Sequence, residues 1–412
     1  VTAPGPAGVL GTDDATDLLG RAREAAEGFV ADLVELTSFD SGTWNPAGTR
    51  RAATWCADRL RSFGARTEIV EVHRTGPPVG PALVARLPVP GPGTVLLVGH
   101  TDTVYPDGTA AARPAVRDGD RLNGPGVSDD KGGVLAGIHA MRLLADLPGP
   151  HDGEVVLLLS PDEEVGSPQT VSLLTALARE ADVVLGLECA RENGDLVLGR
   201  KGACDVTVEL RGRAAHAGIE PERGIDAAAA AAALVLSVRD AAAARPGVTI
   251  NVGVLRAGTR PNVVADRARL EIEVRAPSAA ALDEALLAVD DLVDAVAVGG
   301  VSGTTERSGS CPPLEPTPAS RRLLDLAVRR GRRTGLAVDG ALTGGVSDAN
   351  FAAATGTPTL DGLGPVGGGD HSAAEWLDVA TAPARIALLA GLVLDAGRLL
   401  APQETPSRKE HP

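Results

Sequence analysis

Acidic and histidine side chains recur in five short stretches, and four of these directly follow an apolar run or lie among glycines. In LLVGHTDTV, His100 and Asp102 stand just past an apolar run, where α/β sheets present ligands. A metal-binding imidazole needs its second nitrogen held by an acceptor, and Asp102 suits that part. GPGVSDDKGG offers Asp129 and Asp130 after Gly124, Pro125 and Gly126, although Asp129 could equally cap the helix that follows. SPDEEVGS sets Glu163 beside Glu164, and like charges at a buried strand end repel unless a cation neutralises them. GLECA closes another apolar run with Glu188, and GPVGGGDHSAAEW carries His371 among glycines. Singly, each has an ordinary reading as a cap, a packed histidine or a solvated loop charge. Together, two histidines and several carboxylates without sulfur make a nitrogen and oxygen donor set that suits zinc, with cobalt or manganese able to take its place.

Such a set works only if strand ends bring it together. Residues 94–99, 153–160 and 182–188 have the unbroken apolar composition of fully buried strands, and 67–72 and 82–87 are further short apolar runs. Helical periodicity covers 15–36, 49–63 up to Gly64, 131–144 and 170–181. Strands alternating with helices predict an α/β sheet with parallel pairs. From Lys201 the pattern changes, and CDVTVELRG alternates as a half-exposed antiparallel strand does. An alanine-rich helix at 225–243, strands near 248–257 and 266–275, a helix at 278–296 and a short strand near Val301 follow. This predicts a small α+β domain at 203–308 inserted in a larger one made of 14–202 and 309–401, whose last helices fall at 318–334 and 380–399.

A chain of 412 residues exceeds one ordinary core, and with aromatics at 2% its leucines, valines and alanines must fill the interior. The net charge of -15 argues against a nucleic acid or an anionic membrane as partner, and no apolar run is long enough to span a bilayer. Cys56, Cys189, Cys204 and Cys311 are widely spaced, with no CxxC, and read as reduced thiols of a cytoplasmic protein. Residues 1–13 and the tail from Pro402 are expected to lack fixed structure, and the start has no basic-then-apolar signal form.

In this order along the chain, GHTDTV, GPGVSDDKGG, SPDEEVGS, the Glu188 strand, RAAHAG and GGGDHS resemble the co-catalytic zinc metallopeptidases of the M20 type. That family includes glutamate carboxypeptidase, acetylornithine deacetylase, succinyl-diaminopimelate desuccinylase and aminoacylase. The resemblance implies a zinc-peptidase catalytic domain with a mixed, mainly parallel sheet, and an inserted α+β lid and dimerisation domain. It implies two zinc ions bridged by Asp129, with His100 and Glu188 completing one site and Glu164 and His371 the other. Glu163 would be the general base, Asp102 would orient His100, and the peptide after Asp129 would be cis. His216 would stabilise the oxyanion, while Asn262, Arg275 and Gly345 would bind substrate, the Arg275 fork fitting both oxygens of a carboxylate. A homodimer would close each site with a histidine and an asparagine from the partner. The implied activity is hydrolysis of an amide bond beside a free carboxylate, in an N-acyl amino acid or dipeptide, by a metal-activated water whose proton Glu163 takes. Two other readings are a biosynthetic deacylase or trimming enzyme of the same fold, and a non-catalytic binding homologue. The intact ligand set and Glu163 speak against the second.

The departures from the family pattern are specific. Ser128 stands where Ala is usual, Glu273 where Asp is, and Cys189 where Pro commonly follows the ligand glutamate, a thiol that exposes the site to oxidants. Glutamate carboxypeptidases bring a Lys and an Arg to the substrate's side-chain carboxylate. Those positions align with Leu196 and with Ser310 or Cys311, none of them basic, which implies a preference for apolar or neutral residues over glutamate.

Overall fold

A computed structural model describes residues 12–73 and 76–399. The expectations for 1–11 and for the tail from Pro402 lie outside the described residues, whereas Thr12 and Asp13 open the first helix. The chain forms two compact units. One comprises Val1–Leu198, Thr317–Ala341 and Thr355–Pro412, and the other Gly199–Pro316 with Leu342–Ala354.

The first unit is built on a six-stranded sheet. Its order is Arg66–Val70, Ala82–Val89, Gly153–Ser160, Gly93–His100, Val183–Gly186 and Thr359–Leu360. The first two pairings are antiparallel and the remaining three parallel. The central strands are buried on both faces, with Leu96, Leu97, Leu157 and Leu158 all fully covered, which is why they read as unbroken apolar runs. Helices Lys131–Ala145 and Ala382–Leu399 pack on the sheet and on each other. The helix expected over 15–36 is divided by a turn at Ala25 into Thr12–Glu24 and Ala26–Thr37. The halves serve different neighbours, the first packing on Ala382–Leu399 and the second on Lys131–Ala145. The next helix starts before the expected Thr49, at Pro46, because the Asn45 side chain accepts from Gly48 N–H and Pro46 suits the first turn.

A second, four-stranded antiparallel sheet in this unit was not expected. It runs Gly367–Gly368, Trp376–Asp378, Arg121–Asn123 and Val116–Asp118. Strands of two or three residues carry no readable periodicity, yet these determine where His371 lies.

The other unit has a sheet ordered Thr249–Ala257, Arg267–Ala276, Gly202–Arg211 and Ser302–Cys311, all antiparallel. Helices Ala227–Ala243 and Ala279–Val296 cover one face and bury its own core, with Val208, Leu234, Leu270 and Val289 fully enclosed. The strand expected near Val301 extends instead from Ser302 to Cys311. Its serine and glycine content hid it, since an edge strand exposed along most of its length needs few apolar residues.

Candidate active site

Parallel pairing of Gly93–His100 with Gly153–Ser160, in which His100 faces Ser160, makes the two strands end at one level. His100, Asp102, Glu163 and Glu164 therefore leave the sheet together. Val183–Gly186 flanks the same His100 strand and delivers Glu188 to that end. Asp129 comes from the loop that follows Arg121–Asn123, and His371 from the loop between Gly367–Gly368 and Trp376–Asp378. Trp376 pairs with Asn123, so the small sheet sets these two loops side by side.

Glu375, which the sequence reading did not single out, joins them. One of its oxygens accepts from the N–H groups of Ser128 (2.9 Å) and Asp129 (3.1 Å), and the other from Gly126 N–H at 2.9 Å. Its only signal was an acidic residue directly before an apolar strand, where a charge that turns inward must find donors.

His100 is buried, and its Nδ1 lies 3.0 Å from the carbonyl of Asp102 and 3.3 Å from Asp102 Oδ1. A carbonyl only accepts, so Nδ1 carries a hydrogen and Nε2 faces the site. Nε2 is 3.0 Å from Asp129 Oδ1, 3.7 Å from Glu188 Oε1 and 4.0 Å from Glu163 Oε2. The second oxygen of Asp129 lies 3.0 Å from His371 Nε2, which is also 3.1 Å from Glu164 Oε2. Asp102 accepts from Thr43 Oγ1 (2.7 Å) and from the N–H groups of Glu163 and Glu164 (3.2 Å each), so one carboxylate orients His100 and anchors the glutamate pair. The Asp129–Asp130 peptide is cis. The Asp129 side chain faces the histidines, so its capping reading fails, and Asp130, which occupies the N-cap of the Lys131 helix, makes no side-chain capping bond. His371 has φ of 60°, a left-handed conformation uncommon outside glycine and found where surrounding structure enforces it.

Charge is out of balance in this cluster. Burial opposes a positive His100, yet its bonds to Asp102 and Asp129 hold its pKa well above the ordinary value. Bonds to Asp129 and Glu164 lift His371 to about 10. Burial, then the charges of Asp129, Asp130 and Glu163, push Glu188 well up, and burial likewise raises Glu164. Carboxylates and imidazoles crowded at one point, each shifting the protonation of the others, have the chemistry of a cation site. Ligating atoms of His100, Asp129 and Glu164 lie within 4.8 Å of one another, as do those of His100, Glu163 and Glu188. The residues thus fit a metal bound through nitrogen and oxygen. Proximity alone does not divide ligand from base, since Glu163 falls in the second group. The Cys189 thiol donates to Asp370 Oδ2 at 3.7 Å, and burial followed by the charge of Asp370 pushes its pKa well up.

The remaining predicted residues belong to the other unit. His216 neighbours Asn262, whose carbonyl accepts from Ala217 N–H at 3.0 Å. Gly218 N–H donates to His216 Nδ1 (3.1 Å), which leaves Nε2 as the protonated, donating nitrogen of the neutral ring. Arg275 Nη1 donates to Gly344 O at 2.7 Å, beside Gly345, while Nη2 is engaged by Glu273 Oε1 at 2.6 Å. Leu196 requires a correction. It is fully buried in the main core of the first unit, so it packs there and meets no substrate. Cys311 is buried as well, and Ser310 is exposed. The expectation of a neutral side-chain pocket loses its Leu196 support.

The family model of Peptidase family M20/M25/M40 matches residues 96–395, which span every candidate ligand. The chain belongs to the M20 peptidase family. Among M20 relatives, carboxypeptidase G2 of Pseudomonas sp. (strain RS-16) is 30% identical over 372 residues, covering 89% of both chains. Succinyl-diaminopimelate desuccinylase of Xanthomonas oryzae pv. oryzae (strain PXO99A) is 28% identical over 382 residues, or 84% of this chain and 91% of that protein. A tripeptidase structure from Staphylococcus aureus subsp. aureus Mu50 superposes with a TM-score of 0.78 at 20% identity, covering 90% of this chain and 99% of the other, a likeness of fold. The M20 assignment makes the chain a metal-dependent amide hydrolase of the carboxypeptidase or deacylase type.

Proposed function

We propose that the chain is a two-zinc hydrolase that cuts the amide bond beside the free carboxylate of an N-acyl amino acid or dipeptide. The observation that carries this reading is the pair of oxygens on Asp129, one at 3.0 Å from His100 and the other at 3.0 Å from His371, the disposition of a carboxylate that bridges two ions. His100 and Glu188 would hold one ion, Glu164 and His371 the other. Zinc bound there supplies a low-pKa water and an electrophilic pull on the scissile carbonyl, with cobalt or manganese as substitutes. Glu163 takes the proton of the attacking water and passes it to the leaving nitrogen. Asp102 keeps His100 in one tautomer. The Nε2–H of His216 donates to the oxygen that gains charge, and Asn262, Arg275 and Gly345 receive the substrate carboxylate. Substrate then displaces Glu273 from the second arm of Arg275. The similarity to a carboxypeptidase and a desuccinylase supports both the peptidase and deacylase forms. Four free cysteines fit a cytoplasmic enzyme, and a homodimer completes each site.

Metal analysis joined to a hydrolysis screen of N-acyl amino acids and dipeptides, with added zinc, manganese or cobalt, tests this reading. Two divalent ions per chain and loss of activity in chelator are expected. A metal content near zero with activity intact in chelator would refute it.

A further inference from the structure

Within the first unit, a cavity of about 480 Å³ borders the cluster, with Glu164 and Val165 among its walls. Its other walls come from the segments at 42–45 and 103–107. Three large apolar side chains in its lining are left open to solvent: Trp44 at 56%, Val104 at 42% and Val165 at 38%. Apolar side chains gathered in one concavity beside a reactive centre mark a binding subsite more than a folding remnant.

The cavity is also firmly built. Thr43 N–H donates to Thr103 O (3.3 Å) and Thr103 N–H to Ser41 O (3.0 Å). A Cβ on Gly42 would stand 2.6 Å from Tyr105 O, so glycine is what lets these segments close together. The Tyr105 hydroxyl is held between Ser372 O (2.8 Å) and Glu375 Oε2 (2.7 Å). Thr43 Oγ1 reaches Asp102, and Glu375 carries the Asp129 loop. The walls are thus tied to the residues that position His100 and Asp129.

We infer that this cavity is the subsite for the acyl group, and that it selects an uncharged, aromatic or bulky apolar acyl chain with Trp44 as its stacking face. The inference rests on the hydrolase reading. In that reading Asn262, Arg275 and Gly345 take the substrate carboxylate, and none of them lines this cavity, which is therefore assigned to the part of the substrate across the scissile bond. Its charge points the same way. No Lys or Arg lines it, Asp107 and Glu164 do, and Asn45 at the rim is spent on Asp107 at 2.7 Å. With Glu164 taken up by the metal in that reading, a succinyl or other anionic acyl group would meet the Asp107 carboxylate and no Lys or Arg side chain.

The test compares N-benzoyl, N-acetyl and N-succinyl derivatives of one amino acid, and N-benzoyl derivatives of several amino acids, on the metal-loaded wild type, Trp44→Ala and Trp44→Phe. Trp44 is largely exposed, so both variants should fold. The wild type should favour benzoyl over acetyl by about tenfold or more in kcat/KM, with succinyl poorest. Trp44→Ala should erase most of that ratio, and Trp44→Phe should restore it. An unchanged ratio in Trp44→Ala, or a change in amino-acid ranking instead of acyl ranking, overturns the subsite. Calorimetric binding of the benzoyl and acetyl compounds to the same proteins separates the two readings. Trp44-dependent preference for benzoyl without any hydrolysis sinks the hydrolase reading and keeps the subsite. Hydrolysis without that preference sinks the subsite alone, and the absence of both sinks both.

Discussion

Glu163 and Glu164 hang from one buried acceptor, Asp102, through adjacent N–H groups, yet their carboxylates meet different imidazoles. Glu164 lies 3.1 Å from His371, whereas the nearest approach of Glu163 to His100 is 4.0 Å. Glu163 makes the looser contact of the two, and as the proposed base it is no ligand, so Glu163→Gln should retain its metal and lose about 10²–10⁴-fold in kcat. Metal counted on the same variant is decisive, because loss of an ion would make Glu163 a ligand and not a base. The histidines carry a second prediction. His371 without metal titrates at about 10, and His100 is also raised. Across neutral pH His371 is therefore protonated before metal arrives, and the ion it binds must expel that proton. Proton and metal compete, so affinity rises with pH, by about tenfold per unit between about pH 6.5 and about pH 8.5. Chelator competition at several pH values would measure it, and a flat profile would show that His371 does not ligate.

At the scale of elements, Glu375 makes the loop before the Lys131 helix a fixed object. Replacing it by Ala would leave the N–H groups of Gly126, Ser128 and Asp129 without their acceptor, each at a cost of about 1–3 kcal/mol if it stays buried. Glu375→Ala should therefore lower Tm and shed metal at chelator levels the wild type resists. Glu375→Gln, with one acceptor oxygen, should fall between. A melt equal to the wild type would mean that water replaces the carboxylate. Glu375 also shows what the sequence hid. Strands such as Gly153–Ser160 were legible because burial on both faces leaves an unbroken apolar run, and His100, Asp129, Glu164 and Glu188 were legible because they follow such runs or lead into helices. The pairing of Trp376 with Asn123, which brings His371 to Asp129, rests on three-residue strands joining distant segments, and local sequence carries no trace of it. Leu196 failed for the opposite reason, since alignment assigned a pocket role to a position that burial assigns to the core.

At the scale of the whole molecule, the sheet of the smaller unit ends on Thr249–Ala257 and Ser302–Cys311. Open edges invite pairing, and two-fold symmetry is its commonest form. In the proposed homodimer, His216 acts at the partner's metal centre. His216→Ala and Glu163→Ala should each be nearly inactive alone. Co-expressed, half of the dimers should be hybrids with one complete site, restoring roughly a quarter of wild-type activity. Confirmed hybrids that stay inactive would place His216 at its own chain's centre. Among the described residues, no helix is long and apolar enough to cross a membrane.

His100, Asp129, Glu164 and Glu188 all precede the smaller unit in the chain, and His371 follows it. A ribosome therefore delivers four members of the set long before the fifth exists. Until Gly367–Gly368 and Trp376–Asp378 emerge, the Asp129 loop has neither its neighbouring strand nor the Glu375 acceptor. In the proposed site, the nascent chain thus cannot assemble the full ligand set until the residues after the smaller unit have been made, a sequence of events set by residue order alone.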